Sequence, residues 1–276
     1  MGSSRKSVKK WHNKIHCGDC LDIMRKMPDD CVDLIVTSPP YADARAHTYG
    51  GISPKDYVKW FGVRAVEMKR ILKPSGSFIL NIKEKAVDGE RHTYVLELIL
   101  SLKKDAGFRW VEEYIWHKKT SAPGRWKYRF RDAWERIIHF SKDKNIKMNQ
   151  EAVKIPIGDW KDTRLKNMSQ NDMERRNSAT QSGIGRRISA WEGRDTVFPS
   201  NVLHKSPVAH NTGHSAAFPD WLPEFFIKLF TDEGDVVLDP FSGSGTTFRV
   251  ASELGRIPIG IEINQEYIDA LLEASS

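Results

Sequence analysis

A serine, two prolines and a tyrosine end an apolar run, VDLIVTSPPY, at residues 32–41. The run at 32–36 is short, β-branched and unalternating, which is typical of a strand that is covered on both faces. The prolines fix φ and remove two amide donors, so strand pairing must end there, while the carbonyl oxygens of Ser38 and Pro39 remain available as acceptors. The motif therefore predicts a rigid corner of hydrogen-bond acceptors beside the ring of Tyr41. Open α/β sheets bind their ligands at such strand ends.

A second candidate site is the turn DPFSGSGTT at 239–247, between a predicted strand and a predicted helix. Glycines let the backbone approach a ligand, and the amino end of the helix offers free N–H groups. The turn lacks the lysine of a P-loop, the third glycine of a dinucleotide fingerprint and the flanking glycines of a nucleophile elbow. What remains is Gly243-x-Gly245, followed by Glu262 at the end of the next predicted strand, where an acid can accept both hydroxyls of a ribose. This predicts an adenosine ligand without a required pyrophosphate, which S-adenosylmethionine satisfies. A purely structural turn is the alternative.

A third candidate is the basic segment HKKTSAPGRWKYRFR at 117–131, which contains no acidic residue. Its basic residues are interleaved with aromatic residues, a pattern that suits phosphate contacts together with stacking or wedging beside a displaced base. A solvated loop whose aromatic rings pack inward is the alternative. The residues predicted to contact DNA are Lys118, Lys119, Arg125, Trp126, Lys127, Tyr128, Arg129 and Arg131.

Seven segments predict the strands that must position these residues. They are KIHC, VDLIV, SFILNI, FRWVEEYIWHK, WERIIHFSK, DVVLD and PIGIEI. Helical spacing of apolar residues predicts helices in LDIMRKM, DYVKWFGVRAVEMKRILK, HTYVLELILSLKKDAG, WLPEFFIKLF, TTFRVASELG and QEYIDALLEA. Because strands and helices alternate, we expect a mostly parallel sheet with helices on both faces. The two long strands around the basic segment are predicted to form an antiparallel pair.

The segment 141–197 differs from the rest of the chain, because it is polar and almost without periodic apolar faces. Between 142 and 195 it carries twelve Lys/Arg against eight Asp/Glu. We interpret it as an insertion that separates residues 1–140 from residues 198–276.

The composition excludes several classes of protein. The 276 residues are 39% hydrophobic and 29% charged, and no segment approaches the apolar length of a membrane span. The basic start resembles no signal peptide, so we expect a cytoplasmic protein. Three cysteines, Cys17, Cys20 and Cys31, argue against a disulfide framework, and a single CxxC without a second pair argues against a zinc site. A net charge of +7 is compatible with a polyanionic partner but does not establish one.

Together, SPPY at 38–41 and DPFSGSG at 239–245 resemble the catalytic and cofactor motifs of DNA amino-methyltransferases in the β-class order. Further matches are Gly18-Asp19, Pro74-Ser75-Gly76 and HSAAFP at 214–219. The resemblance covers residues 14–140 and 198–270, whereas the insertion matches by position only. It implies a class I, Rossmann-like methyltransferase fold with a circularly permuted, seven-stranded sheet that carries one antiparallel strand. The catalytic half would be 1–140, the target-recognition insertion 141–197 and the cofactor-binding half 198–276.

The resemblance also implies the roles of individual residues. Glu262 would bind the ribose of S-adenosylmethionine, Asp19 its adenine and Phe218 its methionine end, although helix capping is an alternative role for Asp19. The remaining predicted cofactor contacts are Asp239, Pro240, Phe241, Ser242, Gly243, Ser244, Gly245 and Thr246. The predicted catalytic residues are Ser38, Pro39, Pro40 and Tyr41.

These residues suit methyl transfer to an exocyclic amine, whose lone pair is delocalised into the base. Ser38 and the Pro39 carbonyl can accept the two amine hydrogens and present the lone pair to the methyl sulfonium, and the prolines hold these acceptors in place. Tyr41 can stack on a base that has been flipped out of the duplex. The chain contains no Pro-Cys dipeptide, so methylation of cytosine C5 through a cysteine nucleophile has no candidate residue.

The leading hypothesis is therefore a site-specific methyltransferase acting on cytosine N4 in double-stranded DNA, because family members with Ser before Pro-Pro-Tyr mostly methylate that atom. Adenine N6 is the alternative within the same chemistry, and a non-catalytic DNA-binding protein is the alternative outside it. RNA and protein glutamine are less favoured, because the glutamine enzymes usually carry Asn in place of Ser38. A restriction endonuclease partner and a homodimer stay open, and the recognition sequence is not determined.

Overall fold

The computed structural model describes residues 8–43, 50–120, 124–159, 163, 167, 193–207 and 219–274, with the backbone alone for residues 125, 126, 271, 272 and 274. The chain forms two compact units, one of Met1–Asn149 with Asn201–Ser276 and one of Gln150–Ser200. The second unit begins later than the predicted insertion, because the chain after residue 141 still packs on the first unit. The amide of Lys147 donates to the Ser75 carbonyl over 3.1 Å, and its ammonium pairs with Asp235.

The described strands are β1 (Lys14–Cys17), β2 (Val32–Thr37), β3 (Leu72–Ile82), β4 (Ala86–Val87), β5 (Glu90–Arg91), β6 (Arg109–Lys118), β7 (Arg125–Trp126), β8 (Arg129–Phe130), β9 (Trp134–Ser141), β10 (Ile155–Pro156), β11 (Thr196–Val197), β12 (Val202–Lys205), β13 (Val236–Asp239) and β14 (Ile257–Glu262). Within the described ranges, the central sheet has eight strands in the order β1-β14-β13-β2-β3-β9-β6-β12. All neighbours are parallel except that β9 runs antiparallel to both β3 and β6. The predicted antiparallel pair of long strands is confirmed.

All seven predicted strands lie in this sheet, and the described residues add one more strand to the expected seven. The additional strand, β12, pairs in parallel with β6 at the edge of the sheet. It has four residues, of which Leu203 alone is buried, so its sequence carries almost no alternating pattern.

The strand β3 is also longer than predicted and includes Pro74. An irregularity in the β2–β3 register lies at this point, where Leu72 pairs with Val32 and Ser77 already pairs with Leu34, and such a bulge accommodates a proline.

In the first unit, the helices that the structure describes are α1 (Cys20–Met24), α2 (Pro54–Ile71), α3 (Tyr94–Lys104), α4 (Trp221–Phe230), α5 (Thr246–Glu253) and α6 (Gln265–Ala274). The start of α2 follows from its sequence, since the Ser53 side chain accepts from the Asp56 amide and Pro54 occupies the first turn. The bounds predicted for α4 and α6 are confirmed. None of the helices in the described ranges combines the length and the apolar character that crossing a membrane requires.

The core lies on both faces of the sheet. On one face the fully buried Phe78 of β3 packs between Phe61 of α2 and Phe140 of β9, with ring centroids 6.4 and 5.8 Å away. On the other face Phe230 of α4 packs against His139, the residue that precedes Phe140 on β9, with centroids 4.4 Å apart. Burial lowers the pKa of His139 to about 3, so the ring is neutral. Apolar packing on both faces explains why the central strands read as continuous apolar runs.

In the second unit, the described residues form a short 3-10 helix at Gln150–Val153 and the antiparallel pair β10–β11. The Lys154 ammonium lies 5.0 Å from the ring centroid of Phe198. Most of the predicted insertion lies outside the described residues.

Replacing glycine by alanine should change the free energy of unfolding in opposite directions at Gly76 and Gly62. A Cβ at Gly76 would lie 2.7 Å from Leu72 Cδ1 and 2.9 Å from the Asp33 carbonyl oxygen. A Cβ at Gly62 on α2 would meet no atom of the described residues within 4 Å. We expect Gly76→Ala to lower the free energy of unfolding by about 1–3 kcal/mol, because backbone must shift. Gly62→Ala should raise it by up to about 1 kcal/mol through helix propensity. Urea unfolding of both variants measures this, and equal stabilities would contradict the packing at Gly76.

Candidate active site

The two motifs that are far apart in the sequence meet at the carboxyl ends of adjacent parallel strands. Strand β2 leads into Ser38 and strand β13 ends at Asp239, and the two strands pair directly through Leu34 with Val237 and Ile35 with Leu238. The Thr37 hydroxyl donates to Asp239 Oδ1 over 2.6 Å. A buried hydrogen bond therefore joins the serine-proline corner to the glycine turn. The sequence reading had not singled out Thr37.

Asp239 is a buried carboxylate that accepts its hydrogen bonds from neighbouring groups of the protein. Besides Thr37, it accepts from the Phe241 amide over 3.0 Å and from the Thr247 hydroxyl over 2.8 Å, and it is 1% exposed. Burial raises its pKa to about 6, and the charge of Glu262 adds to the shift. In the structure Asp239 thus holds the turn and the start of α5 in place, which is a role that the motif alone did not reveal.

The glycine turn has the backbone that its composition predicts. Gly243 and Gly245 have φ values of 52° and 75°, in the left-handed region that favours glycine. A Cβ built at Gly243 would meet nothing within 4 Å among the described residues, so the turn has an open side there. Gly245 is also the N-cap of α5 and provides no side-chain cap. This open backbone at a helix amino end fits a ligand that approaches closely.

Glu262 connects the glycine turn with the end of β14. Its Oε2 accepts from the Gly243 amide and its Oε1 from the Asn264 amide, each over 2.8 Å. The residue is 3% exposed. A carboxylate has about four lone-pair sites, so two bonds leave acceptor capacity for further donors beside the turn. This capacity is what a ribose-binding acid needs.

Asp19 has the capping role that was the alternative in the sequence reading. Its Oδ1 accepts from the Leu21 amide over 2.7 Å at the start of α1, and its Oδ2 pairs with Arg64 Nη2 over 2.6 Å. The Arg64 guanidinium lies 4.4 Å from the ring centroid of Trp60, which in turn lies 5.7 Å from that of Phe241. Trp60 contacts the glycine turn through Phe241, and Arg64 packs on Trp60. No motif in the sequence indicated either residue. Contact of Asp19 with adenine stays a prediction.

The serine-proline corner is supported from behind by two tyrosines. The Tyr57 hydroxyl donates to the Pro40 carbonyl over 2.8 Å, while Pro39 is buried and Ser38 is half-buried. The Tyr41 hydroxyl donates to Glu135 Oε2 over 3.0 Å and lies 3.5 Å from Ser38 Oγ. Burial and the adjacent Glu135 charge raise the pKa of Tyr41 well above its usual value, so it remains a donor. The ring orientation of Tyr41 is therefore fixed by a buried carboxylate that the motif does not contain.

The basic segment differs in part from its prediction. Strands β7 and β8 form a short antiparallel hairpin, in which Tyr128 is 80% and Phe130 is 93% exposed, so these rings do not pack inward. Lys119, Lys127 and Arg131 are exposed as well. Arg129 of β8 is half-buried, and the side chains of Arg125 and Trp126 lie outside the described part.

Lys118 does not fit the predicted role of a phosphate contact. Its ammonium pairs with the buried Glu135 over 2.5 Å and lies 4.8 Å from the Trp116 ring centroid. Phe218 lies outside the described residues, so its predicted cofactor contact has no structural description.

Comparison with known proteins identifies the family. A family model for DNA methylases, the N6 and N4 methyltransferases, matches residues 32–273. The Type II methyltransferase M.PvuII of Proteus hauseri is 31% identical over 282 residues, covering 94% of this chain and 82% of that protein. The chain belongs to the N6/N4 family of DNA methylases. M.BglII of Bacillus subtilis is 28% identical, and the match covers 95% of this chain and 69% of that protein.

Solved structures agree with this assignment. The PvuII DNA methyltransferase, named as cytosine-N4-specific, superimposes with a TM-score of 0.71 at 26% identity, covering 94% of this chain and 84% of that chain. A Thermus thermophilus protein named as a DNA modification methylase, solved with S-adenosyl-L-methionine, has a TM-score of 0.63 at 25% identity and covers 95% of this chain and 92% of that chain. The predicted methyltransferase fold and the DNA amino-methyltransferase family are confirmed. The chain is a site-specific DNA methyltransferase, and its methyl donor is S-adenosylmethionine.

Gly243→Val tests whether the cofactor binds at the open side of the turn, and a control at Gly234 accounts for the effect of backbone strain. Gly243→Val places a branched side chain on the open side of the turn, and we expect S-adenosylmethionine affinity in calorimetry to fall by more than about tenfold, or 1.4 kcal/mol. Gly234 is a matched control, because it has a φ of 81° and a Cβ there would also meet nothing within 4 Å. Gly234 precedes β13, at the opposite end from the turn. Both variants should lose similar stability through the left-handed backbone, about 1–3 kcal/mol. Unchanged affinity in Gly243→Val would remove the turn from the cofactor site.

Proposed function

We propose that this chain transfers a methyl group from S-adenosylmethionine to the exocyclic N4 amine of a cytosine flipped out of double-stranded DNA. The observation that carries the proposal is the hydrogen bond between Thr37 and Asp239, which places the serine-proline corner beside the open glycine turn. A methyl acceptor held at Ser38 and a cofactor held at Gly243 would then be neighbours. The serine before Pro-Pro-Tyr and the similarity to a methyltransferase named as cytosine-N4-specific favour cytosine over adenine.

The residues present fit the cofactor. Glu262 retains acceptor capacity for the ribose, the backbone at Gly243 is open to a ligand, and the Phe241 and Trp60 rings offer apolar surface for the adenine. Asp19 lies near these rings through its Arg64 ion pair, and we assign it to the adenine side. When bound, the cofactor supplies an electrophilic methyl group on a sulfonium. The other turn residues, from 239 to 246, shape this cradle.

The acceptor corner performs the remaining chemistry. Ser38 Oγ and the Pro39 carbonyl accept the two hydrogens of the target amine, which draws the nitrogen toward a tetrahedral shape and directs its lone pair at the methyl group. The prolines and the Tyr57 bond to Pro40 keep these acceptors from reorganising during the reaction. Transfer is direct, without a covalent intermediate on the protein, and the methylated nitrogen then releases one of its two hydrogens as a proton to solvent. Adenine N6 is the second candidate, because either base offers an amine to the same acceptors and a hydroxyl does not exclude adenine.

On the DNA side, we assign the β7–β8 hairpin to the duplex. Exposed basic residues there suit phosphates, and the exposed rings of Tyr128 and Phe130 suit stacking beside the space that a flipped base leaves.

Residues 141–197 are proposed to read the target sequence. The relatives are Type II methyltransferases, so a cognate restriction endonuclease is the partner that we propose, with DNA in the cytoplasm as the place of action. A homodimer is an open alternative to a monomer.

The target atom is tested by digesting DNA methylated by the purified protein and identifying the modified nucleoside by mass spectrometry. We expect N4-methyl-2′-deoxycytidine as the product and its loss in Ser38→Ala, because alanine has no acceptor for the amine. Unchanged thermal unfolding and S-adenosylmethionine affinity of Ser38→Ala are the controls. N6-methyl-2′-deoxyadenosine as the sole product would overturn the assignment to cytosine, and absence of transfer from labelled cofactor to DNA would favour a non-catalytic DNA-binding protein.

Salt dependence tests the hairpin. Neutralising Lys127, Arg129 and Arg131 together should flatten the dependence of log K on log salt by up to about 0.9 for each phosphate contact that is lost. The control neutralises Lys26, Lys103 and Lys104, which are exposed at the carboxyl ends of α1 and α3, away from the carboxyl ends of the strands. This control changes the net charge equally and should preserve most of the slope. An equal slope change in both triple variants would assign the effect to net charge and not to the hairpin.

A further inference from the structure

A buried carboxylate, Glu135, lies behind the serine-proline corner and does not itself face the proposed target amine. Glu135 lies near the start of β9, the antiparallel strand of the central sheet, and is 7% exposed. Its Oε2 accepts from the Tyr41 hydroxyl over 3.0 Å and from Asn81 Nδ2 over 3.3 Å, while its Oε1 accepts from Lys118. Each of these bonds joins a different strand or turn at the reacting edge of the sheet.

The carboxylate sets the direction of the hydrogen bonds that lead to Ser38. A serine or tyrosine hydroxyl can donate or accept, whereas an ionised carboxylate can only accept. Tyr41 directs its proton at Glu135 Oε2, which at 3.0 Å is closer than the Asn81 Oδ1 acceptor at 3.5 Å. This leaves its oxygen lone pairs for the Ser38 hydroxyl, 3.5 Å away. This distance is long, and such contacts commonly tighten when substrate binds. With its own proton directed at Tyr41, Ser38 presents lone pairs to the opposite side.

This direction matters because the target amine offers only N–H groups to Ser38 in the proposed reaction. A serine whose proton pointed at the amine would place donor against donor and lose the interaction that draws the nitrogen toward tetrahedral geometry. Preorganised polar groups of this kind contribute strongly to catalysis, since they need no reorganisation at the transition state.

The neighbours of Glu135 hold it in this arrangement. The Asn81 amide also donates to the Arg136 carbonyl over 3.1 Å, which fixes its orientation, and Asn81 is 1% exposed. Lys118 supplies the countercharge that offsets the cost of burying the carboxylate. The ion pair with Glu135 explains why a lysine stands at position 118.

We infer that Glu135 is a positioning residue for methyl transfer, which acts through the Tyr41 hydroxyl to keep Ser38 a hydrogen-bond acceptor. The inference rests on the proposed function. It adds a residue from β9 to a site whose sequence motifs lie on the turns after β2 and β13, and it makes the antiparallel strand part of the catalytic apparatus.

The first test compares Glu135→Gln with Glu113→Gln in steady-state methyl transfer to DNA. The glutamine can present N–H to Tyr41 and so permits the reversed hydrogen-bond direction. We expect kcat to fall by about 10- to 100-fold, while the KM values for DNA and S-adenosylmethionine stay within about threefold, or 0.65 kcal/mol. Glu113 is a matched control. It is a carboxylate on β6, the strand next to β9, and it pairs with Arg136 of β9. Among the described contacts it has none with Tyr41. An unchanged kcat in Glu135→Gln would overturn the inference.

A double-mutant cycle tests the route through Tyr41. If Glu135 acts through this hydroxyl, Tyr41→Phe and Tyr41→Phe with Glu135→Gln should have the same kcat, because the second change has nothing left to orient. Multiplicative losses would show that Glu135 acts by another route and would overturn the inference.

A paired replacement distinguishes positioning from an orphaned charge. Lys118→Met combined with Glu135→Gln removes both charges, and we expect kcat to remain low. Recovery to the wild-type kcat would mean that the single variant failed because Lys118 was left unpaired, and would overturn the inference. Wild-type protein that transfers no methyl group to DNA would instead contradict the proposed function, so the two failures are distinguishable.

Discussion

The adjacency of β2 and β13 is the constraint on which the site depends. A parallel pairing brings two strand ends to the same edge, and the Thr37–Asp239 hydrogen bond closes the gap between them. Because Asp239 also binds the Phe241 amide and the Thr247 hydroxyl, one carboxylate fixes the end of β2, the glycine turn and the first turn of α5. In the proposed reaction, the relative position of methyl donor and acceptor would therefore be set by the sheet.

The prolines after β2 have a physical purpose within this frame. A strand that ended in flexible residues would leave the acceptor oxygens of the corner to reorganise during the reaction, which weakens transition-state stabilisation. Prolines fix the backbone, and Tyr57 holds the Pro40 carbonyl from the side of α2. The aromatic core of Phe61 and Phe78 beneath α2 in turn holds that helix on the sheet. Packing of the core therefore supports the position of the catalytic corner.

Local patterns in the sequence determined much of the protein. The apolar runs located seven of the eight sheet strands, helical spacing located α4 and α6 to the residue, and SPPY with the glycine turn indicated the family that the comparisons confirm. Such features are visible because proline, glycine and apolar periodicity act on the backbone within a few residues. The short edge strand β12 escaped notice for the same reason, since one buried leucine makes no period.

Only the tertiary structure decided which distant side chains meet. Thr37, Glu135 and Arg64 carry no local signal, yet the first holds Asp239, the second holds Tyr41 and the third occupies Asp19. Lys118 reads as one more basic residue of a DNA-binding segment until β6 and β9 place it against Glu135. A residue type and its neighbours in sequence specify what a side chain can donate or accept. Its partner is chosen by strand order and register, which arise from packing across the whole sheet.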